Sequence, residues 1–104
     1  MKIKIDNIKK SNFNSVADFD FFRRVYQSNI NDYSERAKMI GFNNMNRVLD
    51  FGCGYGQWSI AFSKFNCEVY ASDSSQSRIN VFNKIISNNK IDNIYTKSGK
   101  INEL

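Results

Sequence analysis

The sequence predicts an α/β fold in which helices alternate with the strands of a parallel, doubly wound sheet. Short apolar runs, too short for helices, alternate with longer segments whose apolar residues recur every three or four positions. Strands separated by helices of about 10–15 residues imply right-handed crossovers, so the strands lie parallel. The predicted order is helix, helix, strand, helix, strand, helix, strand, which is half of a doubly wound fold.

Two helices are predicted before the sheet. The first, within SVADFDFFRRVYQSN, opens on Ser15 with Asp18 three residues later, a spacing that resembles a capping box. The second begins at Asp32 and ends at Gly41, where glycine favours termination, and a polar connection (42–46) follows. The apolar residues predicted on one face of each helix are Phe19, Phe22 and Tyr26, then Tyr33, Ala37 and Ile40.

Three apolar runs predict the strands of the sheet. RVLDF (47–51) is predicted as a buried strand, because it is rich in apolar residues and too short for a helix. EVYAS (68–72) is the second strand and ends at Asp73, and IYTK (94–97) is the third. The carboxyl ends of such strands form the edge at which doubly wound folds bind their ligands.

Helices are predicted between these strands. The first covers 57–65, and the second is capped by Ser74 or Ser75. Their apolar faces are predicted to be Trp58, Ala61, Phe62 and Phe65 in the first helix, and Ile79, Phe82 and Ile86 in the second. Trp58 is interpreted as a packing residue rather than an aromatic platform for a ligand.

Charge and composition exclude several classes of function. The net charge is +5, but residues 1–10 hold four lysines against one aspartate, and the remaining chain has eleven basic and nine acidic residues. We therefore expect a solvated basic segment at the N-terminus and no nucleic-acid-binding face. The sequence contains no histidine, which excludes Ser-His, Cys-His and His-metal sites built from this chain alone.

The cysteines and the hydropathy pattern indicate a cytoplasmic protein. Cys53 and Cys67 lie fourteen residues apart without a CxxC partner, which argues against a zinc site and favours two reduced thiols. The N-terminus lacks the apolar core of a signal peptide, and no segment approaches the roughly 20 apolar residues of a membrane span.

The stretch VLDFGCGYG (48–56) holds three of the five glycines in the chain, at every second position. It lies where the first strand turns into a helix. Glycine permits a positive φ and lets a ligand approach the backbone closely, while the start of the next helix attracts an anion. A phosphate and a carboxylate both fit this description, so the glycines alone do not identify the ligand.

The residues around the glycines favour an adenosyl amino acid. A dinucleotide fingerprint needs a third glycine where Gln57 or Ser59 stands. Asp50 would repel a pyrophosphate but would attract the ammonium of an amino acid, unless it only pairs with Arg47 or stabilises the loop. Asp73 follows a strand, 21 residues after Gly52 (73 − 52), which is close to the spacing of an acid that binds ribose. It could instead serve only as a helix cap.

VLDFGCGYG followed by EVYASDSS resembles motif I and the second-strand motif of the class I S-adenosylmethionine-dependent methyltransferases. The similarity runs over about 47–104, and more loosely over the preceding helices, which resemble the N-terminal cap of that family. It implies a Rossmann-like doubly wound parallel sheet that is incomplete here, with a basic segment and cap helices over 1–45 and the cofactor-binding half of the domain over 46–104.

The resemblance also implies roles for individual residues. The positions that it assigns to S-adenosylmethionine are Asp50, Gly52, Cys53, Gly54, Gly56, Asp73 and Ser74. Those up to Gly54 would hold the methionine part, Gly56 would allow the turn into the helix, Asp73 would bind both ribose hydroxyls, and Ser74 would lie beside the adenine. Tyr26, Tyr33 and Arg36 lie where relatives sometimes close over the cofactor, although an aromatic residue on an amphipathic helix usually belongs to the core.

One position departs from the family pattern. After the third strand the family often has Gly-Asp, whose acid accepts a hydrogen bond from the adenine amine, whereas this chain has Gly99-Lys100. Because lysine cannot accept a hydrogen bond, that contact is lost or is made by a backbone group.

The expected function is methyl transfer from S-adenosylmethionine to an unidentified acceptor. The family builds its acceptor site after the fourth and later strands, and its strand order of 3-2-1-4-5-7-6 would leave RVLDF as a bare edge here. We therefore expect a fragment of a longer methyltransferase, or an edge covered by a partner or by self-association. The alternatives are a nicotinamide- or nucleotide-binding Rossmann module and a non-catalytic interaction domain.

Overall fold

The computed structural model describes residues 3–27, 31–39, 41, 47–65 and 67–99. Its elements follow the predicted order of two helices and a βαβαβ unit. They are a 3-10 turn at Lys10–Asn12, α1 (Val16–Gln27), α2 (Asn31–Met39), β1 (Arg47–Phe51), α3 (Gln57–Ser63), β2 (Glu68–Asp73), α4 (Gln76–Asn88) and β3 (Ile94–Ser98). The predicted connection over 42–46 and the predicted core residue Ile40 lie outside the described residues.

The three strands form one parallel sheet in the order β1-β2-β3. Leu49 of β1 is opposite Tyr70 of β2, which in turn is opposite Tyr95 of β3. The parallel direction confirms the prediction, and it brings the carboxyl ends of all three strands to one edge of the sheet. Within the part of the chain that the structure describes, β1 pairs with β2 alone, so it forms an edge of the sheet as expected.

The core lies between one face of the sheet and helices α3 and α4. Val69 of β2 is fully buried, and it belongs to one apolar cluster with Ile60 of α3 and with Phe82 and Ile85 of α4. Ser75 caps α4, since its hydroxyl accepts a hydrogen bond from the Arg78 amide at 3.3 Å. The predicted helical period and cap therefore place α4 correctly.

The opposite face of the sheet is open. Leu49 is 63% exposed and Tyr95 50% exposed, and both share this face with Phe51 and Tyr70. The Tyr70 and Tyr95 rings stack with their centroids 5.2 Å apart. An open groove of about 470 Å³ runs along this face. The prediction that RVLDF is a buried strand is thus wrong for its outer face, because the described helices pack on the other side.

Helix α3 buries only part of the predicted face: Ala61 is buried and Phe62 packs against the core, whereas Trp58 packs elsewhere. Its buried residues are Ser59, Ile60 and Ala61, whereas Trp58 and Phe62 are half-buried. The reason is that α3 packs against α2 as well as the sheet. The Trp58 indole meets the Tyr33 ring edge-on at 5.0 Å and stacks on Phe62 at 5.9 Å. Trp58 is therefore a packing residue, as predicted.

The N-terminal segment packs against the core rather than being wholly solvated. Ile3, Ile5 and Ile8 contact the main apolar cluster, while the intervening Lys4 is exposed. The Lys4 amide donates to Asn89 Oδ1 at 2.7 Å, and the Asn89 amide group donates back to the Lys4 carbonyl at 2.9 Å. The expectation of a solvated segment holds for the lysine side chain and is wrong for the isoleucines. In the described chain, no helix combines the length and the apolar character needed to cross a membrane.

Candidate functional site

The glycine loop connects β1 to α3, and its three glycines serve two different purposes. Gly52, Gly54 and Gly56 have φ values of +69°, +60° and +88°, which favour glycine. A Cβ atom on Gly56 would lie 2.2 Å from Cε1 of Phe82, so the Phe82 ring occupies that space. A Cβ atom on Gly52 or Gly54 would meet nothing within 4 Å. Gly56 is thus required by packing, whereas the first two glycines border open space that a ligand can enter.

Backbone hydrogen bonds hold the loop against the end of β2. The Cys53 amide donates to the Ser72 carbonyl at 2.9 Å, and the Gly56 amide donates to the Cys53 carbonyl at 3.0 Å. The Ile60 amide then donates to the Gly56 carbonyl at 2.9 Å, which starts α3. These backbone hydrogen bonds stabilise the observed conformation of the loop.

Asp73, at the end of β2, contacts the loop directly. Its Oδ2 accepts a hydrogen bond from the Gly54 amide at 2.9 Å, and its Oδ1 accepts one from the Ser75 amide at 2.9 Å. Arg78 Nη1 lies 3.9 Å from Asp73 Oδ1. The Asp73 side chain is only 6% exposed. A carboxylate has about four acceptor sites, so two remain for other donors. The Ser75 contact shows that Asp73 also supports the start of α4, which is the alternative role weighed above.

Asp50 lies beneath the same loop. Its Oδ2 accepts a hydrogen bond from the Ser59 hydroxyl at 2.6 Å. Burial raises the pKa of Asp50, the Ser59 hydrogen bond opposes that rise, and the nearby Asp73 charge adds to it. Arg47 instead pairs with Glu68 at 3.6 Å, so the alternative that Asp50 serves Arg47 is wrong. The site therefore combines two neighbouring carboxyl groups.

Cys53 is a buried thiol in the loop. Burial raises its pKa to about 12, and the charges of Asp50 and Asp73 add to this effect. The start of α3 thus does not activate the thiol, and Cys53 serves as a small residue of the loop.

The other positions singled out from the sequence are Ser74 and the Gly99-Lys100 pair. Ser74 is exposed, next to Asp73. The Gly99 amide donates to the Asp73 carbonyl at 3.0 Å, which brings the end of β3 to the site. Lys100, which replaces the usual acid, lies outside the described residues.

Of the three residues in the region where relatives sometimes close over the cofactor, Tyr26 contacts the loop. Its hydroxyl donates to the Tyr55 carbonyl at 2.5 Å. Tyr33 packs on Trp58, and the Arg36 guanidinium lies 5.3 Å from the Tyr33 ring centre. The ring contacts of Tyr33 and Arg36 are thus with residues of α2 and α3.

Sequence reasoning missed Tyr55 and Arg78. The Tyr55 ring is buried and lies edge-on to Phe22 at 5.5 Å. The Arg78 guanidinium lies 5.9 Å from the Tyr55 ring centre and also approaches Asp73. A large aromatic residue between two glycines was a signal that could have identified Tyr55. The sequence around Arg78 carries no comparable signal. Its approach to Tyr55 and Asp73 is evident only once the position of α4 in the fold is known.

Comparison with known proteins supports the assignment of the fold. The family described as tellurite resistance protein TehB matches residues 14–104. YcgJ from Bacillus subtilis has a similar structure, with a TM-score of 0.59 and 22% identity over 69% of this chain and 31% of that protein. A SAM-dependent methyltransferase from Aquifex aeolicus gives 0.61 and 24% identity over 66% of this chain and 38% of that protein.

A third similar structure is PKMT2 from Rickettsia typhi in complex with AdoHcy. Its TM-score is 0.53, with 30% identity over 59% of this chain and 12% of that protein. No curated protein matches the sequence. The chain spans between about an eighth and two fifths of the length of these three structures. Because the family match covers most of the sequence, the chain belongs to the TehB family, within the class I S-adenosylmethionine-dependent methyltransferases.

Proposed function

We propose that this chain is the cofactor-binding part of an S-adenosylmethionine-dependent methyltransferase. One observation carries the proposal: the Asp73 carboxylate lies against Gly54, in a loop whose first two glycines border open space. The AdoHcy complex of the similar Rickettsia typhi protein supports the same ligand. In this proposal residues 46–104 form the cofactor-binding half, residues 1–45 supply a basic segment and cap helices, and a cytoplasmic location remains the expectation.

The residues present suit an adenosyl amino acid. The two unused acceptor sites of Asp73 can accept hydrogen bonds from the two ribose hydroxyls, with Ser74 next to the adenine. The space beside Gly52 and Gly54 can admit the methionine part. The Asp50 carboxylate would attract the ammonium group of the cofactor.

Electrostatics favour a cationic cofactor over a phosphate. Asp73 is close enough to Asp50 for its charge to raise the pKa of Asp50. A pyrophosphate at the loop would add negative charge beside two carboxyl groups. An ammonium and a sulfonium would instead offset the repulsion between them. This argument tells against the nicotinamide alternative independently of the missing third glycine.

The chemistry requires mainly binding and orientation from the protein. The bound cofactor supplies an activated methyl group on a sulfonium, which is transferred by in-line displacement. The loop and Asp73 would fix the two ends of the cofactor and thereby the direction of the methyl group. Orientation of this kind is worth up to about 7–11 kcal/mol. The acceptor is unidentified.

The same proposal includes a longer chain, a partner chain or a second copy that covers the open face. Leu49, Phe51, Tyr70 and Tyr95 form this face, and β1 offers an unpaired edge beside it within the described sheet. Exposed apolar faces bounded by an open strand edge are typical of association surfaces.

Calorimetry with S-adenosylhomocysteine, NAD and a short nucleic acid tests the cofactor assignment. The wild-type chain should bind S-adenosylhomocysteine and neither of the others. Asp73→Asn should weaken this binding by roughly 10-fold or more, because charge-assisted hydrogen bonds contribute about 1.5–3 kcal/mol each. Asp92→Asn is the matched control, since Asp92 is an exposed acid in the loop before β3. Equal affinities in the two folded variants would reject the role of Asp73.

A further inference from the structure

The carbonyl of Tyr55 is held by a residue from outside the sheet. Tyr55 lies between Gly54 and Gly56, at the centre of the glycine loop. Its carbonyl accepts the hydroxyl of Tyr26, which is on α1, at 2.5 Å. Burial raises the pKa of the Tyr26 phenol well above its usual value, so the hydroxyl remains a donor throughout the physiological range. Helix α1 therefore contacts the backbone of the loop itself.

The Tyr55 side chain extends this contact in two directions. On one side it packs among aromatic residues of the N-terminal part, with Phe13 at 5.6 Å and Phe22 at 5.5 Å between ring centres. On the other side it faces the Arg78 guanidinium, which lies 3.9 Å from Asp73 Oδ1. A single residue thus joins α1, the glycine loop and the arginine next to Asp73.

We infer that Tyr26 is a positioning residue, which holds the glycine loop in its binding conformation through the Tyr55 carbonyl. The inference rests on the proposed cofactor site and assigns Tyr26 a role through the backbone of the loop. Tyr26 would raise cofactor affinity without contacting the cofactor.

The size of the effect follows from the population of the loop conformer. Phenylalanine at position 26 would leave the Tyr55 carbonyl without its donor. A lost buried hydrogen bond disfavours the observed conformer by roughly a factor of 5–30. The apparent dissociation constant rises as the binding-competent fraction falls, so the affinity should decrease by up to the same factor.

The test compares Tyr26→Phe with two controls by calorimetry with S-adenosylhomocysteine and by amide hydrogen exchange. Tyr70→Phe makes the same chemical change on the open face of the sheet, where the Tyr70 hydroxyl bonds to Glu68 at 2.7 Å. Ile85→Val lowers stability by removing a fully buried methylene group from α4. This control therefore shows how far a loss of stability alone weakens the binding of S-adenosylhomocysteine.

We expect Tyr26→Phe to bind S-adenosylhomocysteine more weakly, by at most roughly 5- to 30-fold, with faster exchange of the Gly54 and Gly56 amides. Both controls should stay within about twofold of the wild type, given the usual independence of distant sites. Wild-type affinity and wild-type exchange in Tyr26→Phe would overturn the inference, as would an equal loss in Ile85→Val. If the wild type itself does not bind, the proposed function fails, whereas the exchange rates still decide whether Tyr26 holds the loop.

Discussion

Gly56→Ala should destabilise the protein far more than Gly54→Ala, although both glycines have a positive φ and belong to the same loop. The added methyl group at position 56 would lie 2.2 Å from Cε1, 2.3 Å from Cζ and 2.4 Å from Cδ1 of Phe82. At position 54 the methyl group would meet nothing within 4 Å. The two variants therefore share the backbone cost and differ in the steric cost.

The magnitude follows from these two contributions. A positive φ costs a residue with a Cβ atom about 1–2 kcal/mol. Ordinary contacts begin near 3.4 Å, and the Phe82 ring is completely buried, so relieving the overlap must displace surrounding core residues. Overpacking of this kind costs about 1–3 kcal/mol. We therefore expect a loss of about 1–2 kcal/mol for Gly54→Ala and about 2–5 kcal/mol for Gly56→Ala.

Urea unfolding of the two variants measures this difference, with unchanged m-values as the condition for the comparison. Combining Gly56→Ala with Phe82→Leu should cost less than the sum of the single variants, because the ring edge is removed. Binding should show the reverse preference, since a methyl group at position 54 enters the space proposed for the cofactor. Equal stabilities of Gly54→Ala and Gly56→Ala would refute the account of how the loop packs.

Two further predictions concern the acid beneath the loop and the open face of the sheet. The folded protein holds the Asp50 proton more tightly than the unfolded chain, because burial raises the pKa of this carboxyl group from its usual 3.8. The wild type should therefore lose stability relative to Asp50→Asn as the pH rises from about 4 through that raised pKa, which urea midpoints at several pH values would reveal. A stability difference between the wild type and Asp50→Asn that does not change with pH would contradict the raised pKa of Asp50. Phe51→Lys, at a residue that is 48% exposed, should reduce self-association in sedimentation velocity while keeping the unfolding midpoint, and an unchanged sedimentation profile in an associating protein would exclude this face.

The sequence was sufficient for the features that depend on neighbouring residues. The bounds of β1 and the positive φ values at the glycines follow from local patterns, and the structure confirms them. The cap of α4 was narrowed to Ser74 or Ser75, and the structure selects Ser75. The parallel direction of the strands was also predictable, because a helix between two strands leaves little alternative.

Features that depend on distant residues could not be predicted. The hydrogen bond from Gly54 to Asp73 joins residues 19 apart in sequence, and that from Tyr26 to Tyr55 joins residues 29 apart. The rotation of α3 likewise depends on α2, which covers the Trp58 side of the helix. Hydrophobic periodicity predicts one buried face of a helix, whereas α3 packs against both the sheet and α2.

The open sheet face illustrates the same limit for strands. An apolar run such as RVLDF has the composition of a strand that is buried on both sides, and the expectation of burial was reasonable on that ground. Leu49 and Phe51 are nevertheless exposed, since α3 and α4 pack on the other face of the sheet. The composition of the strand thus indicates a second covering layer that the described residues do not supply.

The most direct measurement of the central claim is a titration of the isotope-labelled protein with S-adenosylhomocysteine, followed by the chemical shifts of its amides. Saturable shifts should appear at Gly52, Gly54 and Ser75 and should be small at Tyr70 and Tyr95 on the open face. Absence of shifts at millimolar ligand, or shifts confined to the open face, would contradict the assignment of the glycine loop and Asp73 as the cofactor site.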